Sequence, residues 1–162
     1  MDRMKGKTVV ITAGYGDIGR ATCRRLCGEG ATVIMTGRKP LAEGAAIARA
    51  AQEGPGRIEY LVCDSASRAS IEAMFAEVLR RHPRIDVAIG NAAMVENGPF
   101  LDIRPDQWQA HLDLNLTGNF HFGQAAARIM VKQEPIKRPG IERGVRGKIL
   151  FNSSWVADLP WP

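Results

Sequence analysis

Short apolar runs alternate with amphipathic stretches along the whole chain, with a period of roughly thirty residues, the length of one strand-helix unit. Lys7 to Thr12 is apolar and β-branched, Asp17 to Glu29 carries a helical stripe of Ile18, Ala21 and Leu26, and Ala31 to Thr36 is again a strand pattern. An alanine-rich helix from Leu41 to Gln52 leads through Gly54-Pro55-Gly56 into a strand at Arg57 to Val62. A helix at Ser67 to Arg81 leads through Pro83 into a strand at Ile85 to Gly90. A long helix is predicted from Pro105 to Lys132, since proline suits a first helical turn. Gln133 to Arg146, with Pro135, Pro139, Gly140 and Gly144, reads as an exposed loop before a fifth strand at Lys148 to Asn152.

Strands that are apolar throughout, separated by helices, imply a parallel sheet covered on both faces, because right-handed crossovers place helices above and below it. The fold class is therefore α/β, a doubly wound parallel sheet of Rossmann type in three layers, expected to form one domain over residues 1–162. Composition agrees: 45% of the 162 residues are hydrophobic and 24% charged, enough to build a globular core. No apolar run is long enough to span a bilayer, and the first strand begins almost at once, so the expectation is a cytoplasmic protein. Cys23 and Cys27 lie four apart on one helix face and Cys63 stands alone, a pattern of buried thiols rather than of metal ligands. The net charge of +5 includes a basic cluster at Lys132, Lys137, Arg138, Arg143, Arg146 and Lys148. Without interleaved aromatics it reads as solvated surface, not a nucleic-acid site.

The chemistry concentrates at strand ends. Gly14-Tyr15-Gly16-Asp17-Ile18-Gly19 is a G-x-G-x-x-G set between a strand and a helix. There glycines permit a tight turn and close backbone approach, and the free N–H groups of the helix start attract a pyrophosphate. After the second strand, where an acid would select the ribose of NAD, the residues are Thr36-Gly37-Arg38-Lys39. A guanidinium suits a 2′-phosphate, so NADP(H) is favoured over NAD(H), and Arg20 is placed to add to the same pocket. The alternative leaves Arg38 as a solvated loop charge.

With these residues in view the chain resembles the short-chain dehydrogenase/reductase family over essentially its whole length. Val9-Val10-Ile11-Thr12 and Gly14 to Gly19 are similar to that family's nucleotide turn, although Ala13 and Asp17 stand where two glycines of T-G-x-x-x-G-x-G would fall. Asp64-Ser65 resembles the acidic segment that binds the adenine amino group, and Asn91-Ala92 the N-N-A-G stretch along the cofactor. Asp113 to Gly118 resembles the segment with the active-site asparagine, which would be Asn115. Asn152-Ser153-Ser154 resembles the catalytic-serine turn, with Ser154 as the serine and Ser153 as its nearest alternative. The resemblance implies a hydride transfer between NADP(H) and a secondary alcohol or ketone, with assembly into dimers or tetramers through the long helix.

In that family a tyrosine, with a lysine four residues later, follows the serine by about a dozen positions, beyond Pro162. Tyr15 and Tyr60 are the only tyrosines here, and neither has a lysine at that spacing. The expectation is thus a domain incomplete at its C-terminus that needs a complementary segment or partner copy. The competing reading is a nucleotide-binding module without turnover. His111 and His121 lie ten apart, not at a helical zinc spacing, so no metal site is expected, and Trp108, Phe120 and Phe122 are core or subunit-contact candidates.

Overall fold

The computed structural model describes residues 3–96, 98–138 and 141–154. Trp155 and the residues after it, with Pro139 and Gly140, lie outside the described residues. Elements follow in the order β1 (Thr8–Ile11), α1 (Asp17–Gly28), β2 (Thr32–Gly37), α2 (Leu41–Ala51), β3 (Arg57–Val62), α3 (Arg68–Arg81) and β4 (Val87–Gly90). After a short 3-10 turn at Phe100–Asp102 come α4 (Pro105–His111), a π-helical stretch at Leu112–Gly118, α5 (Asn119–Met130), β5 (Ile136–Arg138), β6 (Ile141–Val145) and β7 (Lys148–Phe151).

Five strands form one parallel sheet in the order β3-β2-β1-β4-β7. The period-2 alternation of a strand divides its side chains between two cores. Val9, Ile11, Val33 and Met35 point to the face covered by α1 and α2, with Cys23, Cys27, Ala48 and Ala51. Val10, Ile34 and Ala88 point to the face covered by α3 and α5, with Ile71, Phe75, Val78, Phe122 and Ala126. Phe75 and Phe122 meet there with ring centroids 5.2 Å apart. All three cysteines are buried thiols, and burial pushes Cys23 up to about 12 and Cys63 up to about 11.

Three expectations need correction. The buried face of α1 is Gly19, Cys23 and Cys27, and Ile18 is 69% exposed. A Cβ on Gly19 would sit 2.5 Å from the Ala13 carbonyl oxygen, so this glycine turns toward β1 and carries Ile18 outward. The stretch Gln133 to Arg146 is not all loop: β5 and β6 pair antiparallel, with Ile136 opposite Val145 and Arg138 opposite Ile141. The branched residues Ile136, Ile141 and Val145 outweigh the prolines and glycines that suggested a loop. The long helix exists, but its middle winds as a π-helix. Of its aromatics, Phe122 is core, while Trp108 and Phe120 are more than half exposed.

Candidate functional site

Strand order reverses at β1, because β2 lies on one side of it and β4 on the other. In such sheets a crevice opens at the carboxyl ends of the two strands that flank the reversal. Gly14 to Gly19 follow β1, Arg38 follows β2, Asp64 and Ser65 follow β3, Asn91 and Ala92 follow β4, and Ser154 follows β7. All of these sequence-predicted residues therefore share one edge of the sheet.

The β1 tip is fastened by Thr12, a residue the sequence places in the nucleotide turn without a role for its hydroxyl. Thr12 is 1% exposed, and its Oγ1 accepts the backbone N–H of Asn91 at 2.8 Å and of Ala92 at 2.9 Å. Asn91 returns the link, its Nδ2 donating to the carbonyls of Thr12 at 3.1 Å and Ala13 at 3.3 Å. Its Oδ1 accepts from Asn152 Nδ2 at 2.6 Å, so the ends of β1, β4 and β7 are tied into one rigid rim. The resemblance places Thr12 in the nucleotide turn, while the strand pattern alone reads it as a β-former and says nothing of what its hydroxyl holds.

The glycine turn is built for close approach. Ala13 takes φ +48, the left-handed region, and is the only described non-glycine residue to do so. Gly19 packs against Ala13 and Gly14, which brings the free N–H groups of the α1 start to the crevice. Tyr15 lies over Gly37, where a Cβ would fall 2.0 Å from its ring. Lys39 stacks 5.5 Å from the Tyr15 ring centroid and pairs with Glu43, which raises its pKa. Arg38 beside it is exposed and makes no hydrogen bond or ion pair among the described residues. Arg20, considered for the same pocket, instead bonds Asp17 at 3.2 Å. Asp17 itself is almost fully exposed at the first position of α1.

Asp64 Oδ1 accepts the Ala66 N–H at 3.0 Å, a local turn that leaves its second carboxylate oxygen without a hydrogen bond among the described residues. The buried Ser65 abuts Gly118: a Cβ on that glycine would lie 2.1 Å from the Ser65 carbonyl oxygen. Ser153 and Ser154 are both exposed at the end of β7.

Asn115 belongs to a ladder. Asn119 Nδ2 donates to the Ala92 carbonyl at 3.4 Å. Asn115 pairs with the Met94 backbone through both amide atoms, at 2.9 and 2.8 Å. His111 Nε2 accepts the Glu96 N–H at 3.1 Å, and Gln107 Nε2 donates to the Glu96 carboxylate at 2.6 Å. Four-residue steps along the helix, about 6 Å of rise, match two-residue steps along an extended chain, about 6.6 Å. In a pure α-helix each such step would rotate the stripe by about 40°. The wider π turn at Leu112–Gly118 winds the stripe back, so all four side chains face residues 92–96. Between this segment and α4 lies a cavity of about 480 Å³ lined by Met94, Val95, Ile103, Trp108, His111 and Asn115, among others. A larger trough of about 880 Å³ between α1 and α2 is less suited to a ligand, since its Arg20, Arg24 and Arg25 each engage a carboxylate.

Among the described residues no helix is long and apolar enough to cross a membrane, and no three His, Cys, Asp or Glu side chains gather as a metal site.

The family model of the short chain dehydrogenases matches residues 7–162, and the chain belongs to that family. It is 37% identical over 126 residues to (5R,7aS)-5-hydroxy-7a-methyl-1-oxo-2,3,5,6,7,7a-hexahydro-1H-indene-carboxyl-CoA reductase of Mycobacterium tuberculosis, covering 77% of this chain and 48% of the relative. It is 32% identical over 131 residues to 3beta-hydroxysteroid dehydrogenase of Mediterraneibacter gnavus, covering 80% and 47%. The structure of an NAD+-bound xylitol dehydrogenase superposes with a TM-score of 0.82 at 25% identity, covering 99% of this chain and 57% of that one. The chain spans about half the length of the curated relatives it matches.

Proposed function

We propose that this chain forms the nucleotide-binding and carbonyl-orienting part of an NADP(H)-dependent oxidoreductase acting on a secondary alcohol or ketone. The observation that carries this reading is the glycine turn opening at the sheet's reversal point, with Asn91, Ala92 and Asn115 gathered at the same edge. The turn suits a dinucleotide: Gly14 and Gly19 let it pack tightly on Met35 and on its own backbone, while Gly16, with only the Ala13 carbonyl 3.5 Å from where a Cβ would sit, leaves the backbone open to close approach.

In this reading Gly14, Tyr15, Gly16, Asp17, Ile18 and Gly19 hold the pyrophosphate region. The exposed Ile18 offers apolar contact, and Asp17 opposes the phosphates in part. Arg38 is the free cation for a 2′-phosphate, because Lys39 is already committed to Glu43. Asp64 and Ser65 receive the adenine, and Asn91 and Ala92 line the cofactor. When bound, the cofactor supplies or takes up a hydride, two electrons and one proton in net transfer. Ser154 donates a hydrogen bond to the substrate oxygen and fixes the carbonyl, while Asn115 steadies the adjoining wall through Met94. The proton that balances carbonyl reduction comes from a tyrosine paired with a lysine, which we place in sequence beyond Pro162.

Exposed Trp108, Leu116 and Phe120 lie eight and four residues apart along the helix, and we assign them to contact with a second copy of the protein. Multi-angle scattering that returns a monomer would remove that assignment.

The test of the activity uses the full-length gene product with NADPH and a 3-oxosteroid as carbonyl probe, beside acyclic ketones. Turnover is expected with at least one of them. Ser154→Ala should lower kcat by roughly a hundredfold or more with cofactor affinity unchanged. Unchanged turnover in that variant, or none in the wild type with any carbonyl, overturns the reading.

A further inference from the structure

Of the four rungs that hold residues 92–96 to the helix, one depends on a protonation state. His111 Nδ1 lies 2.8 Å from the Gln107 carbonyl oxygen, which can only accept, so Nδ1 carries the proton. Nε2 is then the lone-pair nitrogen, and it accepts the Glu96 N–H. An imidazolium has no lone pair and would meet that N–H with another. The bond therefore selects both the neutral ring and one tautomer.

We propose that His111, as its neutral Nδ1–H tautomer, is a positioning residue that sets the substrate-side wall of the cleft by fixing residues 94–96 against the helix. The proposal rests on the reading of this edge as a cofactor and substrate site. Asn115 clamps Met94 and His111 clamps Glu96, two residues further along the wall of the 480 Å³ cavity. Losing the His111 bond frees the Glu96 backbone while the Gln107 bond to its carboxylate, the Asn115 bonds and the Thr12 junction stay in place. The far wall of the cavity then moves while the groups nearest the reacting carbon stay put, so substrate affinity changes and the chemical step does not.

The charged groups around the ring are few. On the extended segment Glu96 faces it, with its carboxylate held by Gln107. On the connecting stretch Asp102 and Arg104 line the same cavity, and Arg104 is held by both oxygens of Asp106. The helix contributes the neutral amides of Gln107 and Asn115.

The experiment follows hydrogen exchange of the Met94–Glu96 amides by mass spectrometry in the full-length protein, corrected for intrinsic rates. It compares wild type, His111→Phe, which keeps a ring without an acceptor, and His111→Gln, which keeps an acceptor. At about pH 8 the Glu96 amide should exchange about three- to tenfold faster in the Phe variant, the size of one hydrogen bond, and near the wild-type rate in the Gln variant. With NADPH and the 3-oxosteroid probe, His111→Phe should raise KM by a similar factor with kcat within about twofold, and His111→Gln should restore it. Equal exchange in wild type and His111→Phe at about pH 8 overturns the proposal, whatever the activity. Faster exchange with KM unchanged overturns the positioning role. A wild type that turns over no carbonyl defeats the oxidoreductase reading, and the exchange rates alone then decide whether His111 holds the segment.

Discussion

Replacing Ala13 by glycine should stabilise the protein, against the usual effect of adding a glycine. Ala13 sits at φ +48 in the turn after β1, where its Cβ crowds the neighbouring carbonyl. That conformation costs a non-glycine residue about 1–2 kcal/mol. Glycine removes the strain but has more freedom to lose on folding, about 0.5–1 kcal/mol. The net gain is about 0.5–1 kcal/mol, or roughly 1–4 °C in Tm for a domain of this size. The bonds made by the Ala13 carbonyl, from Gly16 N at 3.2 Å and Asn91 Nδ2 at 3.3 Å, are backbone features and survive the change. Urea unfolding of wild type and Ala13→Gly, with equal m-values, measures the difference. A destabilisation of about 0.5 kcal/mol or more would refute the reasoning, because it would mean that the left-handed turn is not strained.

Thr12→Val should cost about 2–4 kcal/mol, since it leaves the buried N–H groups of Asn91 and Ala92 without their shared acceptor; a loss below about 1 kcal/mol in urea unfolding would contradict the junction. Asp17→Asn should tighten NADPH binding by roughly three- to tenfold at low salt and by less at high salt, read by fluorescence titration, because an exposed carboxylate beside a pyrophosphate repels it through solvent. Glu29 accepts hydrogen bonds from Arg3 and Arg25, which lower its pKa from 4.5 to about 2. A carboxylate depressed in the folded state stabilises it fully above 4.5, and that contribution is lost as pH falls toward 2. Glu29→Gln should accordingly flatten the fall of Tm across this window, and an unchanged slope would contradict the pairing.

The sheet was legible because each strand alternates between two covered faces, so Val9 and Ile11 against Val10 need no knowledge of the partner elements to declare a core on both sides. The glycine turn was legible because strand, glycines and helix follow one another without a gap. The face of α1 was misread: Ile18 carries the larger apolar side chain, but the close contact of Gly19 with Ala13 sets the helix rotation. The π turn left no mark, since hydrogen bonding to the fifth residue instead of the fourth changes no residue type. The ladder from Gln107 to Asn119 has a helical period, yet its partner segment Ala92–Glu96 has no regular structure that would announce a pairing. His111 was weighed against His121 as a metal pair, while its true companion is Asn115, four residues on. The short β5 and β6 were hidden by prolines and glycines around three branched residues.

The central claim is that the turn after β1 and the free guanidinium after β2 bind a dinucleotide that carries a 2′-phosphate. Titration of the full-length protein with NADPH and with NADH, in wild type and Arg38→Ala, tests it most directly. The account predicts saturable binding of both, NADPH tighter by roughly tenfold or more, and a preference that collapses in Arg38→Ala with NADH affinity unchanged. Equal affinities for the two in the wild type would contradict the 2′-phosphate assignment, and saturable binding of neither would contradict the nucleotide site itself.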